Sequence, residues 1–295
     1  MQLSTHTLTR YDNAVDFLAV VQPHLMRDEA VNNLMLGVTL RLQQHPDRVE
    51  TPPYLAAVTA ADELIAAAVM TSPYNVIVYS EHEEHRAAFA QMADALRAEN
   101  WSVPGVNGPA HLSEAFAEIW QARTGEAYRA DMRLRVYAVR QVTQPIGVAG
   151  SLRQATLADL DRVARWRQAF IDEAIPQERE SDPHGRARRM IEDGSIYLWE
   201  DGEPVSVAMW SRPLLHGITV TMVYTPPHLR GRGYASACVA ALSQLLLDQG
   251  WEYCTLFTDL ANPTSNNIYQ KIGYKPVCDY RNFRFSSNQT VDDGR

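Results

Sequence analysis

No uninterrupted apolar run in these 295 residues approaches the roughly 18–20 that a membrane-spanning helix needs, so no spanning segment is expected. The opening Met1 to His6 lacks a basic region followed by an apolar one, which argues against a secretory leader and makes a soluble cytoplasmic protein the expectation. Cysteine is scarce. Cys238, Cys254 and Cys278 are odd in number and have no CxxC spacing, so neither a disulfide framework nor a thiolate zinc site is indicated. Basic charge is also short, with 27 Lys and Arg against 35 Asp and Glu, a net −8 that works against unspecific nucleic-acid binding and favours a cationic partner. No G-x-S-x-G occurs, which removes the commonest serine-hydrolase elbow.

What remains is an ordinary globular composition, with 46% hydrophobic and 21% charged residues, enough to bury a large core. At roughly 100–200 residues per domain, the length suggests two domains. A Pro- and Gly-bearing stretch from Gln141 to Gly150 has neither helical nor alternating periodicity and reads as a linker. After it, a strand at Leu152 to Thr156 and helical stretches to about Ala174 and from Asp182 to Glu192 precede three period-two strands: Ser195 to Glu200, Pro204 to Arg212 and Ile218 to Thr225. A helix from about Gly233 to Gln249 stops at Gly250, followed by a strand at Tyr253 to Leu260, a helix near Thr264 to Ile272, and two strands, Tyr274 to Val277 and Tyr280 to Ser286.

The first half runs in the same order, lacking one final strand. Its strands are Thr7 to Arg10, Tyr54 to Thr59, Leu64 to Thr71, Val76 to Tyr79, Ser102 to Val106 and Met132 to Val139. Its helices are Ala14 to Val21, Val31 to Gln43, Glu83 to Glu99 and His111 to Arg123. This order describes a duplicated α+β unit, divided as 1–140 and 151–295.

The most informative segment is Val223 to Ala237. Two prolines stop the preceding strand, and a glycine-interrupted loop opens an alanine-rich helix. The first amides of such a helix have no carbonyl partner and their dipoles favour an anion, while glycine lets the backbone approach phosphate oxygens. Arg230 and Arg232 add two cations, and together these features describe a pyrophosphate seat. It is neither a Walker A loop nor a GxGxxG fingerprint.

Arg230-Gly231-Arg232-Gly233-Tyr234-Ala235 fits R/Q-x-x-G-x-G/A and resembles the acetyl-CoA signature of the GNAT superfamily of N-acetyltransferases. Further on, the run from Asn262 to Tyr274 is similar to that family's second motif, an Asn-started helix carrying a Tyr and ending in Gly-Tyr. The resemblance covers roughly Ser151 to Ser286. It implies an α+β fold of two GNAT-like domains, each a mixed, mostly antiparallel sheet flanked by helices, with acetyl-CoA as cosubstrate and a small-molecule or peptide amine as acceptor. It further implies that backbone at Met222, Val223 and Tyr224 binds the pantetheine arm and that Gly231 to Ala235 hold the pyrophosphate. Asn262, Ser265 and Asn266 would lie along the pantetheine, and Tyr269 would protonate the departing thiolate. Ala235 replaces the commoner glycine, which the pattern allows.

Transfer from a thioester to an amine needs a neutral nucleophile, a polarised carbonyl and a proton for the leaving sulfur. An amide near Val223 and the hydroxyl of Tyr269 suit the last two needs. Glu173, Glu178 and Glu180 flank the expected acceptor side and are the candidate bases, none standing out. No convincing nucleophile is present, so direct attack on the thioester is the expectation. A CoA-binding sensor or scaffold without catalysis is the alternative.

His82-Glu83-Glu84-His85 invites a metal reading but fails on spacing, since the zincin pair lies four apart, so no metal site is expected. The first half has no R/Q-x-x-G-x-G/A; where the loop would lie it places Glu81, Glu83 and Glu84, which would repel a pyrophosphate. That half is expected to shape the acceptor pocket or stabilise its partner domain. Peptide N-termini, lysine side chains, polyamines, aminoglycosides and amino acids all remain open as acceptors.

Overall fold

The computed structural model describes residues 6–49, 51–175 and 182–286. Two compact units are formed, one from Met1–Val136, Asp259–Ala261 and Val277–Arg295, the other from Tyr137–Thr258 and Asn262–Pro276. The expected cut into 1–140 and 151–295 is therefore redrawn at its far end, where the last stretch of chain counts with the first unit.

The first unit begins with β1 (Thr7–Arg10), α1 (Ala14–Leu25), α2 (Asn33–Gln44), β2 (Tyr54–Ala60), β3 (Glu63–Met70) and β4 (Val76–Tyr79). It continues through α3 (His85–Ala98), β5 (Gly105–Pro109), α4 (Ala110–Thr124) and β6 (Ala127–Val139), whose last three residues count with the second unit. Strands β1 to β4 pair antiparallel in sequence, and β5 lies parallel to β4. Strand β2 is almost wholly buried and β3 buried along all but its first residue, so both lie under helices on each face. Phe89, Phe116 and Trp120 from α3 and α4 fill one side of the core.

The second unit follows with β7 (Ser151–Gln154), α5 (Leu160–Ala174), α6 (Pro183–Glu192), β8 (Ile196–Asp201), β9 (Glu203–Ser211), β10 (Gly217–Tyr224), α7 (Tyr234–Asp248), β11 (Tyr253–Asp259) and α8 (Pro263–Lys271). Strands β7 to β10 are antiparallel and β11 joins β10 in parallel. Both units are thus mixed, mostly antiparallel sheets flanked by helices. Helix α7 buries Ala237, Cys238, Val239 and Leu242 and packs on β8, β9 and β10. Its small residues let the helix lie close to the sheet.

The two strands expected at Tyr274 to Val277 and Tyr280 to Ser286 are one, β12 (Lys275–Ser286), and its residues Tyr280–Arg284 pair antiparallel with Pro109–Gly105 of β5. The physical reason lies in β5 itself. Its sequence Gly-Val-Asn-Gly-Pro offers one apolar side chain of any size, and its free edge needs a partner. Strand β12 covers that edge and supplies aromatic bulk: Phe283 is buried in the first unit's core, edge-on to Tyr128, and Phe285 stacks on Trp120.

Candidate functional site

The site forms where β10 and β11 part. Their parallel register runs Gly217 to Tyr253, Ile218 to Cys254 and Thr219 to Thr255 and ends there, the Thr219 and Thr255 hydroxyls sharing a 3.0 Å hydrogen bond at the last rung. Beyond it, Val220 to Tyr224 stay paired to β9 alone, through a bulge between Thr221 and Tyr224. Met222 sits in that bulge at φ +51°, a left-handed conformation rare for a long side chain. The bulge re-aims the backbone at the position where one edge of the strand has lost its neighbour. Its end is pinned, because Ser206 Oγ donates to the carbonyl of Tyr224 at 3.1 Å and lies 2.8 Å from Thr225 Oγ1.

The chain then leaves the sheet through Pro226 and a tight turn at Pro227–Leu229, in which the amides of Leu229 and Arg230 bond to the carbonyls of Pro226 and Pro227. Gly231 and Gly233 follow at φ +80° and +83°, and Gly233 caps α7 in the left-handed region. Only glycine enters that region without strain. A Cβ on Gly231 would meet nothing within 4 Å, so the loop is open there, whereas a Cβ on Gly233 would meet the Val148 side chain at 2.9 Å. Among the described residues, no hydrogen bond is donated by the backbone amides from Gly231 to Ser236; the first amide to bond is that of Ala237, to the carbonyl of Gly233. These are the orphan donors of a helix start, unopposed by any acidic residue in the first turn. The Tyr234 hydroxyl donates to Asp201 Oδ2 at 2.7 Å and ties this corner to the end of β8.

The two arginines do different things. Arg232 is exposed on the loop, beside the hydroxyl of Tyr234. Arg230 turns back: its Nε donates to the carbonyl of Thr225 at 2.9 Å and its Nη2 meets Glu173 Oε2 at 2.6 Å. The expected pair of cations beside the amides is thus one exposed cation next to the Tyr234 hydroxyl and one that braces the loop against α5.

Helix α8 begins as its Asn-Pro start dictates. Asn262 Oδ1 accepts from the amide of Ser265 at 3.0 Å, and Pro263 takes the first turn, where its missing N–H costs nothing. Asn266 donates to the carbonyl of Asn262 at 2.7 Å and accepts from the Tyr137 hydroxyl at 3.0 Å, which itself accepts from Gln270. The side chains of Asn262 and Asn266 are therefore engaged within the protein. Tyr269 is 7% exposed, packed in the same cluster as Val223 and Tyr234 and tilted against Tyr274 at 6.0 Å. Burial pushes its phenol up to about 12, with a hydrogen bond to Ser265 pulling slightly the other way. A phenol so placed keeps its proton through neutral pH, the state a proton donor needs.

On the far side of β10, Glu173 is the one candidate base within the described residues; Glu178 and Glu180 lie outside them. Its carboxylate serves Arg230 and also faces the Tyr224 hydroxyl, whose pKa is raised by burial first and Glu173 second. The Tyr224 ring is buried, tilted to Trp166 of α5 at 6.4 Å, with the Arg230 guanidinium 5.7 Å from its centre. Sequence reading singles out Tyr224 for its backbone alone. The signal for its side chain is its place in the alternation, two residues after Met222, since both turn into the cluster under α5.

Residues 160–274 match the model of the acetyltransferase (GNAT) family. Among solved structures, a GCN5-related N-acetyltransferase from Sphaerobacter thermophilus is 14% identical, with 95% of each chain covered and a TM-score of 0.62. A tandem GNAT protein from the clavulanic acid biosynthesis pathway is 12% identical over 96% of this chain and 98% of its own, at a TM-score of 0.56. A GNAT-family acetyltransferase from Colwellia psychrerythraea is 11% identical over 95% and 98%, also at 0.56. At such identities the likeness carries the fold, and it extends over both units. No curated protein is matched by sequence.

Proposed function

Residues 160–274 being a GNAT-family acetyltransferase domain, we propose that this chain transfers an acetyl group from acetyl-CoA to a primary amine by direct attack. The observation that carries the reading is a coincidence of two independent features. The β10–β11 ladder stops after Thr219 and Thr255, and at the same end of β10 the amides of Gly231 to Ser236 donate no hydrogen bond among the described residues, with open space beside Gly231. An elongated thioester with a diphosphate at one end needs both, a slot between strands and an anion seat at its mouth.

In this reading the amides of Gly231 to Ala235 hold the diphosphate, with Arg232 adding charge. The backbone of Met222 to Tyr224 binds the pantetheine arm and an amide there polarises the thioester carbonyl. Asn262, Ser265 and Asn266 border that arm, Asn262 and Asn266 chiefly by fixing the start of α8. Tyr269 donates the proton that the leaving sulfur takes up. Glu173, beside Tyr224, is the carboxylate available to accept the ammonium proton, directly or through water.

The test is calorimetry with acetyl-CoA, followed by a free-thiol assay over an amine panel. Ala235→Glu places a carboxylate at the first turn of α7, where the helix tolerates it and a diphosphate does not. Loss of acetyl-CoA binding in this variant with an unchanged melting temperature is the expected result. Equal binding by both proteins overturns the reading, and binding without turnover of any amine leaves a CoA-binding module.

A further inference from the structure

Helix α5 places a charged side chain, Arg167, on the face that it buries. Val163, Phe170 and Ile171 lie one turn either side of Arg167, and all three belong to the apolar cluster that α5 and α6 form with β8, β9 and β10. Val163 and Ile171 are fully buried and Arg167 is half-buried between them. An arginine on such a face commonly lays its stem along the apolar surface and holds its head in water. Arg167 instead brings Nη1 to 4.0 Å from Met222 Sδ, at the bulge of β10.

Further along the same helix, Glu173 faces the hydroxyl of Tyr224. Met222 and Tyr224 both turn to the α5 side of β10, while Val223 between them packs in the cluster of α7. One helix thus sets a guanidinium beside the residue before Val223 and a carboxylate beside the residue after it. Trp166 and Phe170 add half-buried aromatic surface, and the Glu173 side chain is 46% exposed, so solvent reaches this corner.

We propose that the acceptor is an amine that also carries a carboxylate, as a free amino acid does, with its carboxylate on Arg167 and its amino group beside Glu173. This rests on the acetyl-transfer reading, in which an amide near Val223 marks the reacting carbonyl. A guanidinium has five N–H donors and a thioether is a weak acceptor, so the contact with Met222 leaves the fork able to take a carboxylate in two parallel bonds. Arg230 meets Oε2 of Glu173, and a carboxylate has lone pairs for more than one donor. A polyamine or aminoglycoside fits poorly, because its further ammonium groups would meet the guanidinium of Arg167 and that of Arg230. The net charge of −8 favours cations for the chain as a whole, but this face of α5 offers one charge of each sign.

The experiment is the free-thiol assay on the full chain with acetyl-CoA and three sets of acceptors: the twenty amino acids, the amines left when their carboxyl group is removed, and spermidine. At least one amino acid is expected to be acetylated, with kcat/KM about tenfold or more above its decarboxylated amine and above spermidine. Arg167→Met keeps a long apolar stem beside Met222 and removes the charge. It is expected to lower that ratio by about tenfold or more, mainly through the KM of the amino acid, while the Kd for acetyl-CoA stays within about twofold. A merely structural arginine would change both acceptors alike. Arg167→Lys, which keeps a charge without the fork, should restore part of the ratio. The proposal is overturned, with acetyl transfer left standing, if the decarboxylated amine or spermidine reacts as well as any amino acid, or if Arg167→Met keeps the wild-type ratio. Failure to acetylate any amino acid overturns it whatever else reacts, and failure of acetyl-CoA to bind removes the acetyl-transfer reading and this proposal together.

Discussion

Arg230 and Glu173, fifty-seven positions apart, meet at 2.6 Å and join the glycine loop to helix α5. Both side chains are nearly half exposed, so the pair adds little to stability by itself. Its consequence is directional. With Arg230 also bonded to the Thr225 carbonyl, its guanidinium is committed to Thr225 and Glu173 and not to the amides it precedes in sequence. Arg232→Ala is therefore expected to flatten the salt dependence of acetyl-CoA affinity, because a cation facing the diphosphate has been lost. Arg230→Ala is expected to lower affinity severalfold, through a looser loop, and to leave the salt slope as in the wild type. Titrations at three salt concentrations separate the two, and equal slopes for both variants refute the division of roles.

Tyr269 combines deep burial with one polar partner, Ser265. Tyr269→Phe removes the proton donor and keeps the ring packing, so kcat is expected to fall by about 10²-fold or more while the Kd for acetyl-CoA stays within twofold. Since the phenol titrates near 12, wild-type turnover should show no alkaline limb near pH 10, where an ordinary tyrosine ionises. A limb near pH 10 that disappears in Tyr269→Phe would show an ordinary, solvated phenol instead.

Much of this site is legible because its chemistry is local. A Pro-Pro break, two glycines at fixed spacing and an Asn-Pro helix start each constrain their own backbone, and the strands of the second unit fall within two residues of the alternating pattern. The rest depends on distant partners. Nothing near Arg230 says that its side chain finds Glu173, because the partner arrives from a different helix. Strand β12 reads as two strands since Cys278 and Asp279 interrupt its apolar alternation, and its partner β5 lies about 170 residues earlier in the chain. Strand β5 itself is expected at Ser102 to Val106 and found at Gly105–Pro109, because glycine and proline read as a turn until β12 pairs with them. The exposed first half of β6, rich in charge, gives no strand signal at all.

Cys238 and Cys254 are both buried, and burial raises each thiol from 9 to about 12. Thiol reagents should label neither in the native protein, while the half-buried Cys278 reacts slowly; denaturant should expose all three. The same shifts set the alkaline limit of stability. Below pH 9 the thiols are protonated in both states and contribute no pH dependence. Between pH 9 and 12 the unfolded chain loses these protons and the native state keeps them, so stability falls as pH rises. Cys238→Ala should make that fall shallower, which chemical denaturation at pH 8 and pH 10 would measure. Rapid native labelling of two or more cysteines would contradict the packing described.

Asp159 stands at the start of α5, the helix whose other end carries Glu173 and so one wall of the site. Its carboxylate accepts two bonds from Arg153, at 2.8 and 2.9 Å, and closes a capping box with Thr156, while Arg153 also bonds to Glu200. The Arg153 bonds lead in holding its pKa down, from 3.8 to about 2, against the opposing effect of burial. A depressed native pKa means stability that is present above pH 4 and lost as pH falls from 4 towards 2. Asp159→Asn keeps the shape and removes the charge. It is expected to cost about 1–2 kcal/mol at neutral pH, a figure held down by the 35% exposure of the Arg153 side chain, and to make the acid-side fall less steep. Urea unfolding at pH 7 and pH 3 decides: a deficit at pH 7 that narrows at pH 3 supports the account, and a deficit independent of pH would mean that the carboxylate acts through packing and not through its charge.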